Sequence, residues 1–126
     1  MEWQEVLASP YLKDLPFKIE LNEWGQIVMT PASNLHGRLQ MRIGFLLNDI
    51  ARSGEILAEC SIATSRGVKV ADVAWCSAEF LTRYGMTTPY PVAPELCIEI
   101  ASGSNTRGEI QEKIDLYLAK GAQEVW

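Results

Sequence analysis

Glu99 is the residue that most restricts what this chain can fold into. It lies within PELCIEIAS at residues 94–102, a segment apolar enough to form a buried strand. An unpaired carboxylate in such a strand carries a large desolvation cost, so it needs a compensating charge. Asp72 repeats the anomaly in the strand-like segment VKVADVAW at residues 68–75. A divalent cation shared by the two acids is the simplest compensation, and it makes the chain a candidate metal-dependent hydrolase.

Size and charge limit the class of protein further. The chain has 126 residues, of which 48% are hydrophobic, and a domain usually contains roughly 100 to 200 residues. We therefore expect one domain over residues 1–126. The formal net charge of −5 argues against a broad basic surface that would bind DNA tightly. It does not exclude an enzyme that binds substrate phosphates through a metal cation and a few local basic residues.

The cysteines and the N-terminus predict the cellular compartment of the protein. Cys60, Cys76 and Cys97 are an odd number without a C-x-x-C motif, and each lies in or beside a strand-like segment, as small buried hydrophobic residues do. The N-terminus lacks a basic region followed by an apolar run, and no later segment approaches the roughly 18 apolar residues of a membrane helix. We expect a soluble, cytoplasmic protein.

Turn residues and hydrophobic spacing predict an N-terminal hairpin followed by the order αβββαβ. The hairpin pairs residues 17–21 with 26–29 and ends at Pro31. The first helix begins at Ser33 or Asn34 and runs to about Arg52, because apolar residues recur there at helical spacing. The later elements are three strands, a helix and a final strand, at residues 55–62, 68–75, 95–101, 108–120 and 124–126.

This order predicts an α/β fold in which helices flank a mixed sheet. The polar turn TSRG at residues 64–67 joins the first two strands as a hairpin, and a loop with three prolines covers residues 76–94. The chain stops where its last strand has barely begun. We therefore expect the domain to be truncated at its C-terminal strand.

Strand alternation places Asp72 and Glu99 among small or apolar neighbours. Aligned carboxylates on adjacent strands bind Mg²⁺ or Mn²⁺ through oxygen, and the Ile100 carbonyl and water would complete the octahedron. We expect the carboxylates to converge, and both acids to destabilise the protein when no metal is bound. The alternative is that Asp72 lies in solvent at a strand end and that Glu99 pairs with a basic side chain.

A series of ordered motifs covers nearly the whole chain. The motifs are ADVA at 71–74, PELCIEIAS at 94–102, SNTR at 104–107, EKIDLY at 112–117 and GAQEVW at 121–126. This series resembles the putative restriction endonuclease family of bacterial proteins, a branch of the PD-(D/E)XK nuclease superfamily. The resemblance implies a restriction-endonuclease-like fold and Mg²⁺-dependent hydrolysis of DNA phosphodiester bonds, with Asp72 and Glu99 as the metal-binding acids.

The chain departs from the family pattern at three positions. Ala71, Ala101 and Gly103 stand where the pattern has Pro, Lys and Pro. This family resembles other branches in supplying the lysine from the following helix, and the matching residue is Lys113. A lysine there would orient the attacking water and offset charge on the phosphate. The alternative is that Lys113 forms an ordinary surface ion pair with Glu109, four residues earlier.

Three further residues are candidates for the site. His36, the only histidine, projects from the inner face of the first helix, where it would contact substrate phosphate or support a metal ligand, or else be a hydrogen-bonded core residue. Glu59 is either a third acid ligand or a solvent-exposed residue. Arg107, just before the second helix, would contact phosphate.

The sequence therefore predicts a Mg²⁺-dependent or Mn²⁺-dependent endonuclease that acts on DNA. One alternative is a catalytically inactive nuclease-fold module that binds nucleic acid or protein, which the acidic net charge and the truncated end favour. Another is a homodimer whose fold serves only assembly. Metal binding together with DNA cleavage would identify the enzyme, whereas DNA binding that ignores metal would identify the module.

Overall fold

A four-stranded sheet, a two-stranded sheet and four helices form the part of the chain that the computed structural model describes, residues 1–103 and 105–126. The helices are α1 (Trp3–Ala8), α2 (Asn34–Ile50), α3 (Ala78–Tyr84) and α4 (Arg107–Ala119). The strands are β1 (Phe17–Leu21), β2 (Ile27–Pro31), β3 (Glu55–Thr64), β4 (Gly67–Cys76), β5 (Leu96–Ile98) and β6 (Glu124–Val125). The predicted mixed α/β architecture is confirmed.

The larger sheet has the strand order β3-β4-β5-β6. β3 and β4 form the hairpin that the turn at residues 64–67 predicts, and β5 is antiparallel to β4 but parallel to β6. Val73 of β4 lies opposite Ile98 of β5. Because the two strands are antiparallel, Asp72, which precedes Val73, lies level with Glu99, which directly follows Ile98 and β5.

Helices α2 and α4 cover opposite faces of this sheet. Ile98 packs in a cluster with Leu47 of α2, whereas its neighbour Cys97 packs in the cluster that contains Tyr117 of α4. This separation follows from the alternation of side chains along β5. Ser33 caps the N-terminus of α2, because its hydroxyl accepts a hydrogen bond from the His36 amide. Thr106 caps the N-terminus of α4 in a capping box with Glu109.

The smaller sheet is the antiparallel β1-β2 hairpin, which packs over β4. Leu21 of the hairpin and Val70 of β4 share an apolar cluster with Trp3 of α1. The buried Glu20 carboxylate also accepts a 2.7 Å hydrogen bond from the Val70 amide. These contacts hold β1 beside the strand that carries Asp72.

Two helices and several element boundaries differ from the sequence-based expectation. α1 lies in a segment without a predicted element, and α3 lies within the predicted loop at residues 76–94. Each is shorter than the window over which a helical period is recognised, so periodicity does not reveal it. β5 covers only residues 96–98 of the expected 95–101. No helix in the described part of the chain is long and apolar enough to cross a membrane.

Candidate active site

A cavity of about 660 Å³ opens where the hairpin and the start of α2 meet the middle of β4 and the end of β5. Six titratable side chains are among the residues that line it: Lys18, His36, Glu59, Asp72, Glu99 and Lys113. Five of these were predicted site residues, and the sixth, Lys18, was not. Arg107 instead borders a separate cavity beside α4.

Asp72 and Glu99 converge on one point of this cavity. The Lys18 ammonium lies 3.0 Å from Asp72 Oδ1 and 3.2 Å from Glu99 Oε2. The two acidic side chains are only 1% and 4% exposed. The alternative that placed Asp72 in solvent is therefore wrong, while Glu99 does pair with a basic side chain.

Each acid has one oxygen held by a fixed donor of the protein. The Ile100 amide donates to Asp72 Oδ2 at 2.7 Å, and the Tyr117 hydroxyl donates to Glu99 Oε1 at 2.7 Å. The other oxygen of each acid accepts from the Lys18 ammonium, and His36 Nε2 lies 3.0 Å from Asp72 Oδ1. The carboxylates are thus oriented by the protein itself, and His36 supports one of them.

The environments of the two acids shift their pKa values in opposite directions. Burial raises the pKa of Glu99 to about 7, and the ammonium groups of Lys18 and Lys113 offset only part of this effect. Burial also disfavours ionised Asp72, but the Lys18 ammonium and the Ile100 amide outweigh it and hold the pKa of Asp72 below its usual value. This direction for Asp72 argues against the expectation that both acids destabilise the metal-free protein, and that expectation stays a prediction.

Lys113 reaches the acid cluster from α4 rather than pairing on the surface. Its ammonium donates to both oxygens of Glu20 at 2.9 Å and lies 3.7 Å from Glu99 Oε2. Glu109, the surface partner in the alternative for Lys113, instead accepts hydrogen bonds at the N-terminus of α4. The Lys113 ammonium is thus held between a hairpin carboxylate and one of the two converging acids.

Glu59 lies beside the site without joining the acid pair. Its side chain is exposed, and Gln40 donates both to Glu59 Oε1 at 2.9 Å and to the Asp72 carbonyl at 2.7 Å. Of the two expectations for Glu59, the exposed residue agrees with its position. Gln40 therefore ties α2 to β3 and β4 next to the acids.

Four residues of this site were not predicted from the sequence: Lys18, Glu20, Gln40 and, as a hydrogen-bond donor, Tyr117. Lys18 and Glu20 alternate with Phe17, Ile19 and Leu21 in β1, and the polar face of a hairpin strand is ordinarily solvated. That alternation was the available signal. It could place both charges on one face, but it could not show that the face is covered.

The donor set fits a hard divalent cation. Among residues 1–103 and 105–126, no three His, Cys, Asp or Glu side chains are grouped to hold a metal ion. Asp72 and Glu99 nevertheless offer two converging carboxylate oxygens. Mg²⁺ commonly binds through one or two carboxylates and takes its other ligands from water and substrate phosphate.

Comparisons with known proteins agree with this architecture. The model of the Uma2 family, described as putative restriction endonuclease, matches residues 3–126. Among solved structures, the chain is similar to a putative nuclease belonging to DUF820 from Anabaena variabilis ATCC 29413, with 20% identity and a TM-score of 0.76 over all of this chain and 72% of that chain. A comparison with curated proteins found no match. The predicted family resemblance and the restriction-endonuclease-like fold class are confirmed.

Proposed function

The chain belongs to the Uma2 family, described as putative restriction endonucleases, and from this premise we propose that it is a metal-dependent nuclease that hydrolyses DNA phosphodiester bonds. One observation carries the proposal. Two buried carboxylates from neighbouring parts of a sheet converge at a cavity that also contains a lysine of α4. This is the set of groups that phosphodiester hydrolysis requires.

Asp72 and Glu99 would hold Mg²⁺ or Mn²⁺ through Asp72 Oδ1 and Glu99 Oε2, the oxygens that Ile100 and Tyr117 leave available. When bound, the cation lowers the pKa of a coordinated water and compensates charge on the phosphate. The Ile100 amide and the Tyr117 hydroxyl keep the carboxylates in place, since each donates to the oxygen that Lys18 does not contact. Fixed ligands of this kind avoid reorganisation during the reaction.

Lys113 would orient the attacking water and stabilise the charge that develops on the phosphate. Glu20 positions it, because both Glu20 oxygens accept from the same ammonium. His36 would contact the substrate phosphate beside Asp72, and a phosphate contact by Arg107 stays a prediction because it lies on the neighbouring cavity.

A second candidate function is the inactive nuclease-fold module. It is favoured by Lys18, whose ammonium already compensates the acid pair. Such a module would bind nucleic acid or protein without turnover. Homodimerisation also stays a prediction.

Cleavage assays separate the two candidates. Purified protein with Mn²⁺ or Mg²⁺ should nick or degrade supercoiled plasmid, and EDTA, Asp72→Ala or Glu99→Ala should each reduce the rate by at least about 10³-fold because the cation loses a ligand. Single-stranded DNA and RNA tested in parallel would define the substrate class.

The matched control is Asp49→Ala, which removes an exposed carboxylate from α2 and should leave the rate unchanged. Activity that survives Glu99→Ala would indicate a contaminant. DNA binding that is the same in EDTA and in Ca²⁺, without cleavage, would support the module instead.

A further inference from the structure

Lys18 stands where the two acids meet, and we propose that its ammonium is a built-in counter-cation that a metal must displace to enter the site. The proposal rests on the proposed function, because the metal in question is the one that Asp72 and Glu99 would hold. It adds a role for a residue of the β1-β2 hairpin in controlling metal affinity.

The hydrogen-bond partners of the carboxylates lead to this conclusion. Asp72 Oδ2 and Glu99 Oε1 are occupied by the Ile100 amide and the Tyr117 hydroxyl. The oxygens left for a cation are therefore Asp72 Oδ1, which also lies 3.0 Å from His36 Nε2, and Glu99 Oε2. Both of them contact the Lys18 ammonium, at 3.0 Å and 3.2 Å. A cation that bridges the acids would compete for the same two oxygens.

The charges of the cluster point the same way. Three carboxylates, those of Glu20, Asp72 and Glu99, face the ammonium groups of Lys18 and Lys113. If a divalent cation entered and both ammonium groups stayed, this buried cluster would carry a net positive charge. Exchange of the cation for Lys18 leaves the ionised cluster neutral, and neutrality is favoured where charges are buried.

Lys18 is better placed to leave than Lys113. The Lys113 ammonium is fixed by two 2.9 Å hydrogen bonds to Glu20, whereas Lys18 lies 4.0 Å from the same carboxylate. The Lys18 side chain also lines the 660 Å³ cavity, which gives its four-carbon chain room to turn away from the acids. The released ammonium would then face the space where a phosphate binds.

Substitution of Lys18 tests this exchange through metal affinity rather than activity. Lys18→Met keeps the apolar stem and removes the charge. We expect the metal-free variant to melt at a lower temperature than wild type, because two buried carboxylates lose their shared partner. The dissociation constant for Mn²⁺, measured by titration calorimetry, should nevertheless fall by at least about tenfold, because no ion pair has to be broken.

The control variant is Lys13→Met, which makes the same change at an exposed lysine between α1 and β1 and should keep the wild-type affinity. Lys18→Arg retains the charge and should not bind Mn²⁺ more tightly than wild type. If Lys18→Met does not fold, Lys18→Gln provides the same measurement with a neutral polar side chain.

Metal affinity decides the outcome. Unchanged or weaker Mn²⁺ binding by the neutral variant, with binding retained in wild type, would overturn the exchange and leave the proposed nuclease intact. Tighter binding also by Lys18→Arg would overturn it as well, since charge would then not be the cause. Absence of Mn²⁺ binding in wild type and in the neutral variant alike would overturn both the exchange and the proposed metal site.

Discussion

The larger, four-stranded sheet and the β1-β2 hairpin contribute to the same cavity in different ways. The larger sheet places Asp72 and Glu99 opposite each other on neighbouring strands. The Ile100 amide holds the first carboxylate and the Tyr117 hydroxyl holds the second. The hairpin supplies Lys18 and Glu20 from a separate sheet, which is joined to β4 by an apolar cluster and the Glu20 to Val70 hydrogen bond. The larger sheet thus determines the positions of the two acids, while the hairpin supplies the charged side chains that surround them.

The prediction with the largest expected effect concerns Lys113, which Glu20 of the hairpin holds beside the acids. It tests whether this lysine acts in catalysis. Lys113→Met should lower the single-turnover cleavage rate by about 10² or more, because its contacts with the phosphate are made mainly in the transition state. It should also leave Glu20 without its bidentate partner. We therefore expect a loss of about 2 kcal/mol in unfolding free energy, measured in urea, rather than the near-neutral effect of a surface lysine.

Lys120→Met, at the C-terminal end of α4, is the matched control for this loss. A cleavage rate within about twofold of wild type after Lys113→Met would remove the lysine from the mechanism.

The next prediction concerns Asp72, which lies on β4 of the larger sheet. Asp72→Asn should lower the unfolding free energy of the metal-free protein by about 2 kcal/mol at pH 7, because ionised Asp72 is stabilised by Lys18 and the Ile100 amide. Since the pKa of Asp72 is lowered on folding, this stabilisation is present above the unfolded pKa of about 3.9 and is lost as the pH falls through the lower folded pKa.

Urea unfolding of wild type, Asp72→Asn and the exposed control Asp49→Asn between pH 3 and pH 7 would measure this difference. A metal-free Asp72→Asn protein that is more stable than wild type at pH 7 would show that burial, and not Lys18, dominates at this acid.

The smallest effect separates the two acids from each other. Because the pKa of Glu99 is raised to about 7, Mn²⁺ has to compete with a proton there. We expect the affinity to increase by up to about tenfold from pH 6 to pH 8, with proton release on binding. Calorimetry in two buffers of different ionisation enthalpy would count the released protons. Affinity that is independent of pH over this range would show that Glu99 is already ionised.

The parts of the fold with strong local signals were predictable. α2 was expected from Ser33 or Asn34 to about Arg52 and covers Asn34–Ile50, because a capping residue and a long apolar repeat both lie within it. The β3-β4 hairpin followed from its polar turn. α1 and α3 were missed because their six and seven residues contain too few turns to show a repeat.

The candidate site was predictable to a similar extent. Asp72 and Glu99 were found because a charge inside an apolar segment is a local anomaly. Lys113 was found only through the family resemblance, since its spacing from Glu109 equally fits a surface pair. Glu20 could not be found in this way, because its partners lie 50 residues away at Val70 and 93 residues away at Lys113.

The sequence by itself determined that two buried acids needed a counter-charge, because strand pattern and desolvation cost are both properties of short segments. Only the tertiary structure decided which groups supply that charge. Lys18 precedes Asp72 by 54 residues and Glu99 by 81, and no local pattern connects positions so far apart. Their contact depends on how the hairpin packs over β4, which is settled by the burial of apolar side chains contributed by α1, β1 and β4 together.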